Sequence, residues 1–91
     1  MAGSPKNLVG AQVQRLRLAS GISQERLAAD CQRIGWDLAR TSLAKIELGS
    51  RRVNDAEVKL LAKVLKVSVG ELLEGGSTSE ALAIARHGHA D

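Results

Sequence analysis

The sequence predicts an all-α fold, and three observations support that prediction. The chain has 91 residues, of which 44% are hydrophobic, enough for one small core and too few for a second. It has one Trp and no Phe or Tyr. The core must therefore consist of Leu, Val, Ile and Ala, of which Leu and Ala favour helix. The single proline, Pro5, lies near the N-terminus, where it interrupts no segment with helical spacing.

The first predicted helix follows Asn7, which can cap it, and runs to about Ala19. Gly21 follows, and glycine readily adopts the left-handed conformation in which helices commonly end. The inward face has the spacing i, i+4 and i+7 and consists of Val9, Val13 and Leu16.

The second predicted helix is capped by Ser23 and extends from Gln24 to about Arg33. Ile22 precedes the cap and can pack against Leu27 as a hydrophobic staple. The residues expected to be buried are Leu27, Ala28 and either Cys31 or Ile34. The residues Gly35, Trp36 and Asp37 then break the helix.

The third predicted helix covers the segment 40–48 and ends at Gly49. At about 100° per residue, Leu43 and Ile46 face inward together. The opposite face carries Arg40, Thr41, Ala44 and Lys45. These cations, hydroxyl and methyl groups are the kinds of group that read base edges in the major groove of DNA, although a solvated helix face tolerates the same mixture.

Three Asn or Ser residues are followed by Glu three positions later, which is the pattern of a capping box. These pairs are Asn54 with Glu57, Ser68 with Glu71, and Ser77 with Glu80. They predict a fourth helix to Leu65 with Val58, Leu61 and Leu65 inward, and a short fifth helix through Glu74. The segment 77–90 either forms a weak sixth helix or is disordered.

The charge is unevenly distributed along the chain. Up to Val53 there are nine Lys or Arg against four Asp or Glu, and from Asn54 onward there are four against six. A basic half joined to a mildly acidic half is typical of a protein that binds a polyanion through one face. An ordinary protein surface with a small excess of positive charge explains the distribution equally well.

The single cysteine, Cys31, cannot form an internal disulfide, which favours a reducing cytoplasm. It is expected to pack in the core. The chain has no run of about 18 apolar residues and no signal-peptide pattern at its start, so we expect neither a membrane span nor export.

Three motifs occur in order along the chain. They are Gly10-x-x-Val13-x-x-Leu16-Arg17, Gly21-Ile22-Ser23-Gln24-x-x-Leu27-Ala28 and Leu43-x-x-Ile46-Glu47-x-Gly49. In order and spacing they resemble the Cro/repressor-type (XRE, lambda-repressor-like) helix-turn-helix family, and the resemblance extends to Val67-Ser68-Val69-x-Glu71-Leu72-Leu73. It implies a compact five-helix DNA-binding domain at 7–74, after a flexible tail at 1–6 and before a tail or short helix at 75–91.

The resemblance also implies roles for individual residues. Gln24 matches the glutamine that lies beside the DNA backbone and braces the recognition helix. The base-reading positions match Arg40, Thr41 and Lys45, and Ser42 is expected at phosphate or at the helix start. The loop residues Arg51 and Arg52 match positions along the sugar-phosphate backbone. Arg17 and Glu47 match a structural ion pair between the first and third helices.

The chain departs from the family pattern in three places. The connection at 33–39 is two or three residues longer than usual and contains Trp36, which is expected either to fill the core or to stack on DNA. Ala39 stands where a Ser or Thr cap is usual, so Asp37 is the alternative cap and the position of Arg40 is open. Leu48 replaces a polar residue and is expected to pack against the next loop or a partner subunit.

Other motifs give weak signals. Ser42 and Lys45 match the S-x-x-K spacing of some acyl enzymes, but no second catalytic segment accompanies them, so no enzyme is expected. His87 and His89 lack further ligands nearby and make a poor metal site. We therefore expect no cofactor and no metal.

Two functions remain open from the sequence. The first is a sequence-specific transcriptional regulator, expected to be a repressor although the sequence does not distinguish repression from activation, that reads a pseudo-palindromic operator in double-stranded DNA as a homodimer. Its candidate interface residues are Leu72, Leu73, Leu82 and Ile84. The alternative is an antitoxin or another protein-binding module, which would engage a protein partner through the C-terminal tail.

Overall fold

The structure, a computed structural model, describes the backbone of residues 5–88 and the side chains of residues 5–86. This part of the chain consists of helices joined by short loops and contains no strand. The helices are α1 (Gly10–Ala19), α2 (Gln24–Arg33), α3 (Arg40–Leu48), α4 (Asp55–Leu65), α5 (Val69–Leu73) and α6 (Thr78–Gly88). The prediction of an all-α fold is confirmed.

Local capping explains where most helices begin. The Ser23 hydroxyl accepts a hydrogen bond from the Arg26 N–H at 3.0 Å, which satisfies one of the unpaired donors at the start of α2. The predicted capping boxes form at α4 and α5, and Ser77 and Glu80 exchange hydrogen bonds in the same way before α6. The helix α6 therefore forms from Thr78 to Gly88, and α5 ends at Leu73, one residue earlier than expected.

The start of α1 differs from the prediction, because the helix begins at Gly10 and its N-cap position is Val9. Asn7 nevertheless accepts a hydrogen bond from the Gly10 N–H at 2.7 Å. The Asn7 side chain is buried, and its amide donates to the carbonyl oxygens of Ile46 at 3.1 Å and Arg51 at 2.8 Å. Asn7 thus joins the start of α1 to the end of α3.

The core lies between α1, α2, α3 and α4, with α5 closing one end. Its fully buried large side chains are Val9, Val13, Leu27, Cys31, Leu43, Ile46, Leu61 and Leu72. Val58, expected to face inward, is only partly buried against this core. Ile34 is exposed, so Cys31 takes the buried position at the end of α2. Among the described residues no helix is both long and apolar enough to cross a bilayer.

The connection between α2 and α3 is ordered by its own contacts. Trp36 packs, half-buried, against the core, and Leu38 is 2% exposed. The Gln32 side chain donates to the Leu38 carbonyl at 3.0 Å. Ala39 occupies the N-cap position of α3 with an extended backbone and makes no side-chain cap hydrogen bond. The alternative start at Asp37 is therefore wrong, and Arg40 is the first residue of α3.

Candidate nucleic-acid interface

Helix α3 has one buried side and one exposed side. Leu43 and Ile46 are fully buried, and Glu47 is buried beside them. The exposed side chains of this helix are those of Arg40, Thr41, Lys45 and, at its last residue, Leu48. Ser42 and Ala44 lie at the boundary and are half-buried. Packing thus fixes the rotation of the helix and leaves its two cations and one hydroxyl in solvent.

Arg17 on α1 holds this rotation through Glu47. Its Nε donates to one carboxylate oxygen of Glu47 at 2.7 Å and its Nη2 to the other at 3.0 Å. Its Nη1 donates to the carbonyl oxygen of Ile22 at 2.9 Å, so all three guanidinium nitrogens are engaged. The hydrogen bond to Glu47 raises the pKa of Arg17 above its ordinary value, against the opposing effect of burial. The two parallel hydrogen bonds give the pair the bidentate geometry that fixes an arginine against a carboxylate.

Gln24 connects this ion pair to the exposed face of α3. Its amide nitrogen donates to the Glu47 carboxylate at 2.9 Å, and its amide oxygen accepts from Arg40 Nη1 at 3.5 Å. Gln24 is half-buried at the first position of α2. The first residue of α2 therefore contacts the first residue of α3, and both lie at the same edge of the exposed face.

A groove of about 640 Å³ opens beside the end of α3. Ser42 and Lys45 of α3 line one side. The loop after α3 and the beginning of α4 contribute Ser50, Arg51, Arg52, Asn54 and Glu57, and the segment before α1 contributes Lys6. Among the described residues, four cations and one carboxylate line the groove, an arrangement that favours an anionic ligand.

The two loop arginines have different surroundings. Arg51 forms a two-pronged ion pair with Glu57 at 3.2 and 2.9 Å, and it also donates to the Arg52 carbonyl. The hydrogen bond from Arg51 lowers the pKa of Glu57, which keeps that carboxylate charged. The hydrogen-bond donors of the Arg51 guanidinium are thus largely occupied by Glu57 and by the Arg52 carbonyl. Arg52, with an exposed side chain, lies at the groove.

Four other residues singled out in the sequence lie apart from this groove. Trp36 belongs to the core rather than to the exposed face. Leu48 is 79% exposed, so the expectation that it packs against the next loop is wrong. Cys31 is fully buried, and burial raises the pKa of its thiol to about 11, which leaves it unreactive. Leu72 is also buried, so it is unavailable for an interface.

The histidine tail lies outside this description, because the side chains of His87 and His89 are not among the described residues. Within the described part, no group of three or more His, Cys, Asp or Glu side chains is placed to hold a metal ion.

Sequence reasoning missed three residues at this end of the molecule. Asn7 was read as a simple cap, although its amide also fixes the end of α3. Lys6 and Ser50 line the groove but belong to no motif in the sequence. A buried asparagine and a long-range loop contact leave no periodic pattern, so the only signal was the concentration of positive charge before Val53.

Comparisons with known proteins agree with this geometry. A helix-turn-helix family model matches residues 13–72, from within α1 to the fully buried leucine of α5. Control protein C.BamHI of Bacillus amyloliquefaciens is 36% identical over 75 residues, which cover 81% of this chain and 86% of that protein. The chain belongs to the XRE-type helix-turn-helix family of DNA-binding transcriptional regulators.

Proposed function

We propose that this regulator reads a pseudo-palindromic operator as a homodimer, with α3 as the recognition helix in the major groove. The observation that supports the proposal best is the two-sided character of α3. Leu43 and Ile46 are fully buried, while Arg40, Thr41 and Lys45 are exposed on one side of the same helix. A helix held this rigidly can present a fixed set of donors to base edges.

The exposed residues of α3 match the chemistry of base edges. Arg40 can donate two hydrogen bonds to O6 and N7 of a guanine. Thr41 can hydrogen-bond to a base or place its methyl against a thymine methyl, and Lys45 lies one turn further along the same face. We assign these three residues to sequence readout.

We assign the surrounding polar residues to the phosphate backbone, which sets affinity and register rather than sequence. Gln24 lies at the N-terminus of α2, where unpaired N–H groups favour an anion. Ser42 and Arg52 line the groove beside α3. Because Arg51 is bound by Glu57, we propose that it mainly holds the loop in shape for Arg52 and contributes charge at a distance.

The homodimer is proposed because one helix reads only about four or five base pairs. Two copies related by a two-fold axis would read half-sites about one helical turn apart. Leu73 and Leu82 are 43% and 50% exposed and offer apolar surface for the second copy. Ile84 is half-buried and lines a small apolar pocket that also contains Leu73.

The second candidate is binding of a different protein through α6, as in an antitoxin. The half-exposed Leu82 on this helix also fits that function. Neither function requires catalysis or a cofactor. The buried free thiol of Cys31 is compatible with action in the cytoplasm.

Selection from random duplexes, followed by binding measurements on the selected site, tests the proposal. We expect a symmetric site, affinity that falls steeply with salt, and a preference at one base that is lost in Arg40→Ala. That loss should amount to about 1–3 kcal/mol of discrimination. Arg52→Ala should weaken selected and random duplexes by the same factor. Equal losses on both duplexes for both variants would refute the division of roles.

A further inference from the structure

The segment before α1 is fixed to the end of α3. The Lys6 N–H donates to the Gly49 carbonyl oxygen at 2.7 Å. Pro5 packs against Gly49 so closely that a Cβ there would lie 3.0 Å from the proline Cβ. The Asn7 amide holds the carbonyl oxygens of Ile46 and Arg51. Three successive residues are therefore anchored to α3 and to the loop that follows it.

This anchoring directs Lys6 toward the groove beside α3. Lys6 is exposed and lines the groove together with Lys45 and Arg52, and it also lines the small pocket beside Leu73 and Ile84. Lys6 forms no ion pair with any side chain of the described residues. The one carboxylate in the groove lining, Glu57, is occupied by Arg51. The ammonium group therefore adds positive charge that no neighbouring carboxylate neutralises.

We propose that Lys6 contacts a DNA phosphate on the strand that passes the C-terminal end of α3. The inference rests on the proposed function and adds to it a residue outside the helix-turn-helix motif. Because residues 5–7 are already bound to the domain, little backbone entropy is lost when the ammonium meets the phosphate. The contact fixes affinity and register and carries no base preference.

Duplex binding by fluorescence anisotropy at several salt concentrations tests this role. The logarithm of the binding constant falls with the logarithm of the salt concentration, and the loss of one phosphate contact should make this negative slope shallower by about 0.9. At 0.1 M salt that corresponds to an affinity about eightfold weaker. We expect this loss for Lys6→Ala on the selected operator and on random duplex alike. Lys6→Arg should bind like the unaltered protein, since it keeps the charge.

Lys63→Ala is the matched control. Lys63 is an exposed lysine of α4 that lines a different groove, between α2 and α4. We expect it to leave the slope unchanged, and thermal melts should show all three variants folded. If Lys6→Ala behaves like Lys63→Ala while the unaltered protein binds its operator, the role of Lys6 is refuted and the proposed function stands. If the unaltered protein shows no salt-sensitive specific binding, the proposed function itself fails.

Discussion

Glu47 connects three parts of the domain through one carboxylate. It accepts hydrogen bonds from Arg17 on α1 and from Gln24 on α2, although it belongs to α3. Its side chain is 1% exposed, and that of Arg17 is 9% exposed. A buried charge pair of this kind adds little net stability over apolar packing, but removal of one partner leaves the other charge without compensation.

Glu47→Ala should therefore lower the free energy of unfolding by about 3–5 kcal/mol, because Arg17 would remain buried and unpaired. Urea or thermal denaturation measures the change. Glu25→Ala is the control, since Glu25 is exposed in the first turn of α2, and it should cost less than about 1 kcal/mol. Equal stability of the Glu47 variant and the unaltered protein would contradict the structural role of the pair.

Contact between elements is closest where α1 crosses the end of α3. Gly10, the first residue of α1, is buried there. A Cβ on Gly10 would collide with the carbonyl oxygen of Ile46 and would lie 2.9 Å from the Asn7 Oδ1. Glycine is thus required by the approach of two backbones and not by an unusual dihedral angle. The crossing sets the position of the end of α3.

Gly10→Ala should destabilise the domain by about 1–3 kcal/mol, as overpacking does, although alanine favours helix more than glycine. Gly70→Ala provides the control, because the added Cβ would meet only the Ser68 hydroxyl at 3.7 Å. That change should be neutral or stabilising by up to about 1 kcal/mol. Denaturation curves of the two variants compare them directly, and a Gly10 variant as stable as the Gly70 variant would show that the crossing can relax.

For the whole molecule, three of the six large exposed apolar side chains among the described residues lie on the C-terminal helices α5 and α6, and the other three are Leu18, Ile34 and Leu48. Val69, Leu73 and Leu82 are between 40% and 50% exposed. The cations at the groove beside α3, by contrast, belong to α3, the loop after it and the segment before α1. The exposed leucines Leu73 and Leu82 and the recognition helix α3 belong to different elements, so in the proposed dimer DNA and a second copy would meet different helices.

Leu82→Glu should convert the proposed dimer to a folded monomer, because it places charge in the proposed interface but not in the core. Sedimentation equilibrium with and without operator DNA measures the state. Leu18→Glu is the control, since Leu18 is 61% exposed on α1, and it should remain dimeric. A monomeric unaltered protein on saturating operator, or a dimeric Leu82 variant, would rule out this interface.

Much of the fold could be predicted because its signals are local. The capping boxes at Asn54 and Ser68 involve residues three positions apart, and the glycines that end α1 and α3 have positive φ angles of 72° and 78°. The alternation of buried and exposed residues on α3 follows from the helical period. The start of α1 was misjudged because Asn7 behaves like a cap although it lies two residues before the N-cap position, Val9. Its side chain accepts a hydrogen bond from the Gly10 N–H, as the side chain of an N-cap residue does from the first turn of a helix.

The candidate site was predicted less completely. Arg40, Thr41 and Lys45 could be assigned to one face from their spacing alone, and packing confirms that this face is exposed. The sequence could not show that Arg51 is bound by Glu57, that Lys6 lies in the same groove, or that Leu72 is buried. Each of these depends on where separate elements meet and not on the pattern within one element.

The sequence by itself determined the approximate extent of the helices, the caps of α2, α4 and α5, and the polar residues that α3 turns outward, because these follow from interactions within a few residues of the chain. Tertiary structure alone decided which charges are neutralised and which face the groove. Arg51 and Glu57 are six positions apart, but other such contacts are long-range: Arg17 and Glu47 are 30 positions apart, and Asn7 and Arg51 are 44 apart. Such contacts are fixed only when the core packs, since packing sets the distance between helices that have no local relation to each other.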